Sequence, residues 1–466
     1  MPRLTRDRTT WLTYAQLGLW GFFLYGFGPV VPLLRDEQGT SAAVAGLHST
    51  GIAVGALAGG ALFAPVARRL GRGPAVWLGL AGVAAGVTAL GLLRPLPATI
   101  AAVAVVATFG MMVISGVNVV LTARHGPAAP AALTEANAAC AGMGILAPLT
   151  IGATVDAGLG WRPMMAVEVG LITLVALAAL TFRVRLPKRA SAAAAAARPA
   201  GATPAVSVPD GPATVPAPDG PAAVPAPAAP AALPALAGPG TVVVSTDSDI
   251  ARPAAGQREV VDGSRSTGTG TAHGSGRLPR AYWIAWVLMS FTGSIEVCLS
   301  LWTADVLRTH AGLSAGGASA AVAAIVCGMF VGRALGGRVA LRWPPVPLLL
   351  GALAVSLTGF TLFWASPVGW LAVTGLVVLG LGNALHYPLA ISIALAVAGP
   401  AADRAAGWSS YSMAVGFGIA PVVLGRVADG VGPHLAFLLL PAFIAVAALL
   451  AVRLGRALRP PSPAPV

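Results

Sequence analysis

Glu296 stands in an otherwise uncharged stretch, Gly293-Ser294-Ile295-Glu296, followed by Trp302. An ionisable group in apolar surroundings is costly to keep charged, and burial favours the neutral form of a carboxyl group, so the chemistry open to it is the binding and release of a proton. Asn383, His386 and Tyr387, just before Pro388, form a second polar cluster. Its imidazole titrates near neutral pH and suits either a proton relay or a hydrogen bond to a substrate. Tyr14, Gln16 and Tyr25, then Ser115 and Asn118, are further polar groups in apolar segments. Those segments contain no metal-ligand spacing, phosphate loop or nucleophile motif, so neither an enzyme nor a cofactor is expected. Cys140, Cys298 and Cys327 also lie in apolar segments, without the spacing of a metal site or disulfide framework, and read as small packing residues.

The elements that must position these groups are membrane helices. Of 466 residues, 56% are hydrophobic and 10% charged, with a mean hydropathy of +0.80, whereas a water-soluble domain carries about 25% charged residues. A soluble enzyme, a disulfide-rich secreted module and a disordered scaffold are excluded. A hydrocarbon core of about 30 Å takes roughly 20 apolar residues in helix, and twelve such runs occur. The first six are Trp11 to Leu34, Ser41 to Phe63, Pro74 to Leu93, Pro97 to Leu121, Ala131 to Val155 and Pro163 to Phe182. The last six are Ala281 to Leu307, Ser314 to Gly337, Val346 to Ala365, Val368 to Val397, Ala405 to Val427 and Ala436 to Val452. The first run is too long for a cleaved signal peptide and lacks a cleavage pattern.

The expected organisation is an N-terminal six-helix half over 1–185, a disordered Ala/Pro-rich cytoplasmic linker over 186–279, a C-terminal half over 280–456 and a cytoplasmic tail over 457–466. The linker is too rich in proline to span a bilayer and has no aromatic residue with which to build a core. With the N-terminus inside, nineteen basic residues fall on the cytoplasmic side and five outside. That asymmetry is the positive-inside rule, so the net charge of +13 reports topology and not a nucleic-acid partner.

An internal repeat sharpens the architecture. Ala147-Pro148-x3-Gly152-x3-Asp156 matches Ala420-Pro421-x3-Gly425-x3-Asp429 residue for residue, and the same offset carries Ser41 onto Ser314. After a short gap, Val54-Gly55-x3-Gly59-Gly60 matches Val331-Gly332-x3-Gly336-Gly337. Two parallel six-helix repeats joined by a long loop are the arrangement of major facilitator transporters. The chain resembles that superfamily in its motifs too. Ala64-Pro65-Val66-Ala67-Arg68-Arg69-Leu70-Gly71-Arg72 is similar to the family's G-x-L-a-D-R-x-G-R loop, with alanine for the leading glycine and Arg68 for the aspartate. The second copy, Gly337-Arg338-Val339-Ala340-Leu341-Arg342, keeps the glycine and has leucine at the acidic position.

The resemblance implies an all-α fold of twelve transmembrane helices in two pseudo-symmetric halves, with runs 1, 4, 7 and 10 around a central cavity. It makes Tyr14, Gln16, Tyr25, Asn118, Trp302, Asn383 and Tyr387 the substrate-binding candidates. Glu296, about 23 Å along its run, and His386 are the proton-coupling candidates. Arg68, Arg69, Arg333, Arg342 and Asp403 are candidates for the cytoplasmic gate. Arg333 lies close enough to the cytoplasmic end to reach the surface instead, and the loop arginines read equally as topology anchors. Glu135 and Asn137 read as starting the fifth helix and capping it, His48 as an interhelical histidine or a gate residue, and Glu168 has no assigned role.

The implied function is secondary transport of a small organic solute by alternating access, coupled to protons. Met112 stands where drug:proton antiporters of the superfamily carry an arginine, while Gly293-x2-Glu296 with Trp302, and Gly380-x-Gly382 leading to Tyr387-Pro388, resemble the fucose permease-like branch. Aromatic, mostly uncharged cavity candidates lean to efflux of an amphiphilic metabolite or drug. The alternatives are a proton-coupled uptake symporter for a sugar or similar solute, and a transport-inactive sensor or scaffold. The expected partners are substrate, protons and lipid bilayer, with a monomer in the cytoplasmic membrane and both termini cytoplasmic.

Overall fold

The structure is a computed structural model that describes residues 4–184, 186, 278–340 and 342–458. The expected linker over 186–279 lies almost wholly outside the described residues. Among the described residues, fourteen α-helices form twelve passes: α1 (Arg8–Gln38), α2 (Ala42–Leu70), α3 (Arg72–Leu92), α4 (Leu96–His125), α5 (Ala129–Asp156), α6 (Pro163–Thr181), α7 (Arg280–Thr309), α8 (Ala315–Ala321), α9 (Ala323–Ala340), α10 (Pro345–Ala365), α11 (Gly369–Ala398), α12 (Ala402–Val431), α13 (Pro433–Ala436) and α14 (Leu439–Ala457). Twelve stretches of the described residues are long and apolar enough to cross a membrane, with α8 and α9 sharing one and α13 and α14 another. No strand occurs among the described residues. This is a multi-pass membrane protein.

Polar side chains cap the starts of three of the helices. Asp7 Oδ1 accepts the Thr10 amide at 2.9 Å and starts α1 three residues before the first run. Ser41 and Ser314 cap α2 and α8 in the same way, accepting from Val44 and Gly317. Gly39, at φ 62°, turns the chain out of α1 in a left-handed conformation that suits glycine. The fifth helix starts at Ala129, so Glu135 and Asn137 stand in its second and third turns and do not cap it. Pro388 does not break its helix either: α11 continues through it. Within a helical bundle, neighbouring groups can satisfy the carbonyl that a proline frees.

Each half packs inside itself along long helix pairs, α1 on α5 and α4 on α2 and α3 in the first, α11 on α9 and α10 in the second. The halves meet along α1–α7, α2–α12 and α5–α8/α9. One end of the bundle, here termed proximal, holds the start of α1 and the end of α14. The distal end holds the α1–α2 turn.

Candidate functional site

The distal end is closed by polar bonds between the halves. Arg35 donates from Nη1 to Asp305 Oδ2 at 2.5 Å and from Nη2 to Oδ1 at 3.0 Å, a two-pronged pair between α1 and α7. Beside it, Arg308 reaches Asp36 at 2.9 Å. On one flank Asp429 accepts the amides of Ala42 and Ala43 at 2.7 and 3.1 Å, at the very start of α2. On the other, Asp156 accepts the hydroxyl of Ser314, the cap of α8, at 3.1 Å.

Those flanks are the internal repeat. In each copy an aspartate in the last turn of one helix faces the N-terminus of a helix from the other half, where unpaired amides and the helix dipole favour negative charge. One helical turn back, a glycine permits the crossing: a side chain on Gly425 would run into the backbone at Ala42, and one on Gly152 into Gly316 and Ala320. Sequence reasoning read this motif only as an internal repeat and missed its closing role, along with Arg35, Asp36 and Arg308. A signal was present. An acid in the last turn is unfavourable for its own helix dipole, which points to a partner elsewhere.

Beneath this closure lies a cavity walled on one side by Tyr25 and Phe27 and on the other by Glu296, Ile325, Met329 and Phe417. Every hydrogen bond and ion pair between the halves, among the described residues, lies at or distal to the level of Tyr25. Glu296 is the acid of the cavity wall. Arg333 donates from Nη1 to the Tyr25 hydroxyl at 3.3 Å, within electrostatic reach of Glu296. It does not run out to the proximal surface. A helical side chain leans toward its helix's N-terminus, and the N-terminus of this pass is distal, so Arg333 leans into the bundle.

The remaining candidates fall into groups. Tyr25 and Glu296 line the cavity together, and Tyr387 on α11 is within electrostatic reach of Glu296. Gln16 is completely buried on α1 with its side-chain amide unpartnered, and Asn118 on α4 also leaves its Nδ2 unpartnered. Tyr14 is tied elsewhere, donating to Glu135 at 3.1 Å, and Glu135 also holds Arg6 at 2.5 Å. Trp302 is buried and donates to Pro421 O at 3.3 Å, linking α7 to α12. Asn383 Nδ2 meets the Met329 sulfur at 3.8 Å. His386 pairs with Ser356 on α10 at 3.1 Å, so its ring is engaged within the second half and does not join Glu296 in the cavity wall.

Arg68, Arg69 and Arg342 are exposed at the proximal end, and the side chain of Asp403 lies outside the described residues. His48 is an interhelical histidine, bonded to Thr99 Oγ1 at 3.0 Å and Ala45 O at 2.9 Å. Glu168 is buried on α6 with both oxygens unpartnered. No group of three or more possible metal ligands occurs among the described residues.

The family model for the Major Facilitator Superfamily matches residues 15–402 and 283–466. No curated protein matches the chain. Among solved structures, the nucleoside transporter NupG aligns at 12% identity and a TM-score of 0.65, over 97% of this chain and 99% of that one. A bacterial homologue of the human lysosomal transporter Spinster, inward-facing and unoccupied, aligns at 13% and 0.65, over 97% and 98%. The E. coli fucose:proton symporter FucP aligns at 14% and 0.50, over 96% and 98%. These likenesses are of fold.

Proposed function

The chain belongs to the major facilitator superfamily, and from that premise we propose that it is a proton-coupled secondary transporter of a small amphiphilic organic solute. The cargo binds between the halves, which rock to expose the site to each side in turn. The excess of arginine at the proximal end makes that end cytoplasmic by the positive-inside rule. The distal closure then faces outward, and the conformation is the one open to the cytoplasm. Proximal arginines 68, 69 and 342 become the contacts of the opposite state, in which the cytoplasmic side shuts.

The observation that carries the reading is Glu296 in the wall of the cavity between the halves, just beneath the closure. A carboxyl group there can exchange protons with whichever side is open, and its charge alters the cavity's affinity for a ligand. Apolar walls fit an amphiphilic cargo. Proton exchange would expel it, the direction to which the sequence leans. Co-movement with protons would import it, and the cation Arg333 beside the acid favours that second reading.

The test is solute-driven proton flux in proteoliposomes under an imposed pH gradient. Wild type should couple solute to protons, and Glu296→Gln should still move solute with no pH dependence. Unchanged coupling in that variant would remove Glu296 from the mechanism. Solute and proton movement in opposite directions would establish exchange, and movement together would establish co-transport.

A further inference from the structure

Beside the cavity, bonded to its wall at Tyr25, lies a cation, Arg333, that has no ion-pair partner among the described residues. One of its amino groups donates to Tyr25 at 3.3 Å, and its Nε is buried with no hydrogen-bond partner. A guanidinium offers five N–H donors in a planar fork, so most of this one is unused. The ionisable groups that face it are Tyr25 on α1, Cys140 on α5 and Glu296 on α7, with Tyr387 of α11 reaching Glu296. On α2 and α12 the cavity wall presents only Ser49, Ile52 and Phe417.

Leaving buried donors unpaired costs stability, so a site that keeps them open is suited to a ligand that fills them. Glu296 is not that ligand, because the two make no ion pair. We propose that Arg333 recognises an anionic headgroup on the transported solute, a carboxylate or similar planar oxyanion, while the solute's apolar body lies along Ile325, Met329 and Phe417. A carboxylate matches the fork with two parallel hydrogen bonds, which a neutral or cationic group cannot supply. The proposal rests on the transporter reading and adds a sign to it. An anion at Arg333 and an ionised Glu296 repel each other across a poorly solvated cavity, so the anion binds best when Glu296 carries a proton. By linkage the proton also binds best when the anion is present. Cargo and proton therefore load together and leave together.

The test uses the full-length protein, in detergent for binding and in liposomes for flux. The probes are phenylacetate, octanoate and glucuronate, each beside a neutral amide and a cationic amine of the same frame. Carboxylates alone should raise the melting temperature and carry protons in their own direction. Arg333→Gln should weaken carboxylate binding about tenfold to a hundredfold, and Arg333→Lys should retain part of it. Glu296→Gln should bind carboxylates at least as tightly as wild type and move them without protons. Both arginine variants are judged only if the empty protein melts cooperatively, and the lysine variant stands in if the glutamine variant does not fold.

Carboxylates bound no better than their amides and amines, or bound equally by Arg333→Gln, would overturn the proposal. Amides or amines crossing with protons while carboxylates do not would sink it and leave the transporter reading standing. Carboxylates bound through Arg333 but never carried would keep Arg333 as an anion site and overturn both the transporter reading and the coupled loading that rests on it.

Discussion

Glu296 and His386 look alike in the sequence, each a titratable group in an apolar helix, but they have different surroundings. Glu296 faces the space between the halves, while His386 is committed to Ser356 inside the second half. His386→Asn should therefore cost on the order of 1 kcal/mol of stability, the worth of a buried hydrogen bond, and leave the pH dependence of transport intact. Glu296→Gln should do the opposite, and paired melting and flux measurements on the two variants separate them. The sequence reveals that a polar residue lies in a helix but not which neighbour that face of the helix meets, so Trp302 and Tyr14, both engaged with other helices, were as eligible for the cavity as Tyr25. Arg333 was more legible than the reading made of it. The lean of a side chain toward its helix's N-terminus follows from chain direction alone.

At the level of helices, the twelve passes were plain because each needs an apolar length that little else in a protein requires. Their ends were less so, since caps and interfacial turns are polar and hydropathy stops where the hydrocarbon does. The crossings depend on small residues: α5 meets α8 and α9 at Gly152, and α1 meets α7 at Gly28, against Ser300. Gly152→Leu should hold α5 away from α8 and open the distal end. A cysteine placed at Ser49, on the cavity wall, reports it: labelling by an impermeant reagent from the distal side should rise several-fold over the same cysteine in the otherwise native protein. Equal labelling would mean that the crossing tolerates the bulk by sliding.

For the molecule as a whole, the two halves could be read from their repeat, and the superfamily from the repeat and its loop motif. The conformation could not, because alternating access asks one sequence to support two arrangements. The pair between Arg35 and Asp305 belongs to the arrangement described here, with the Asp305 side chain 2% exposed and Arg35 19%. Reversing one charge, in Arg35→Asp, should weaken this closure by on the order of 2 kcal/mol, a population shift of tens-fold. Adding Asp305→Arg should recover much of it, as read by the same labelling at the Ser49 position. A double variant that labels like the single one would show that the pair is not what holds the end shut.

Because both flanks of that end are copies of one motif, each aspartate seated on a helix start from the opposite half, the lock is redundant. Asp156→Asn or Asp429→Asn alone leaves the other copy gripping, so each should score as nearly neutral in a growth or flux screen. Their combination should fall far below the sum of the two. A survey of single substitutions would then pass over the repeat as dispensable, and its importance would emerge only as epistasis between two residues at opposite flanks of the protein.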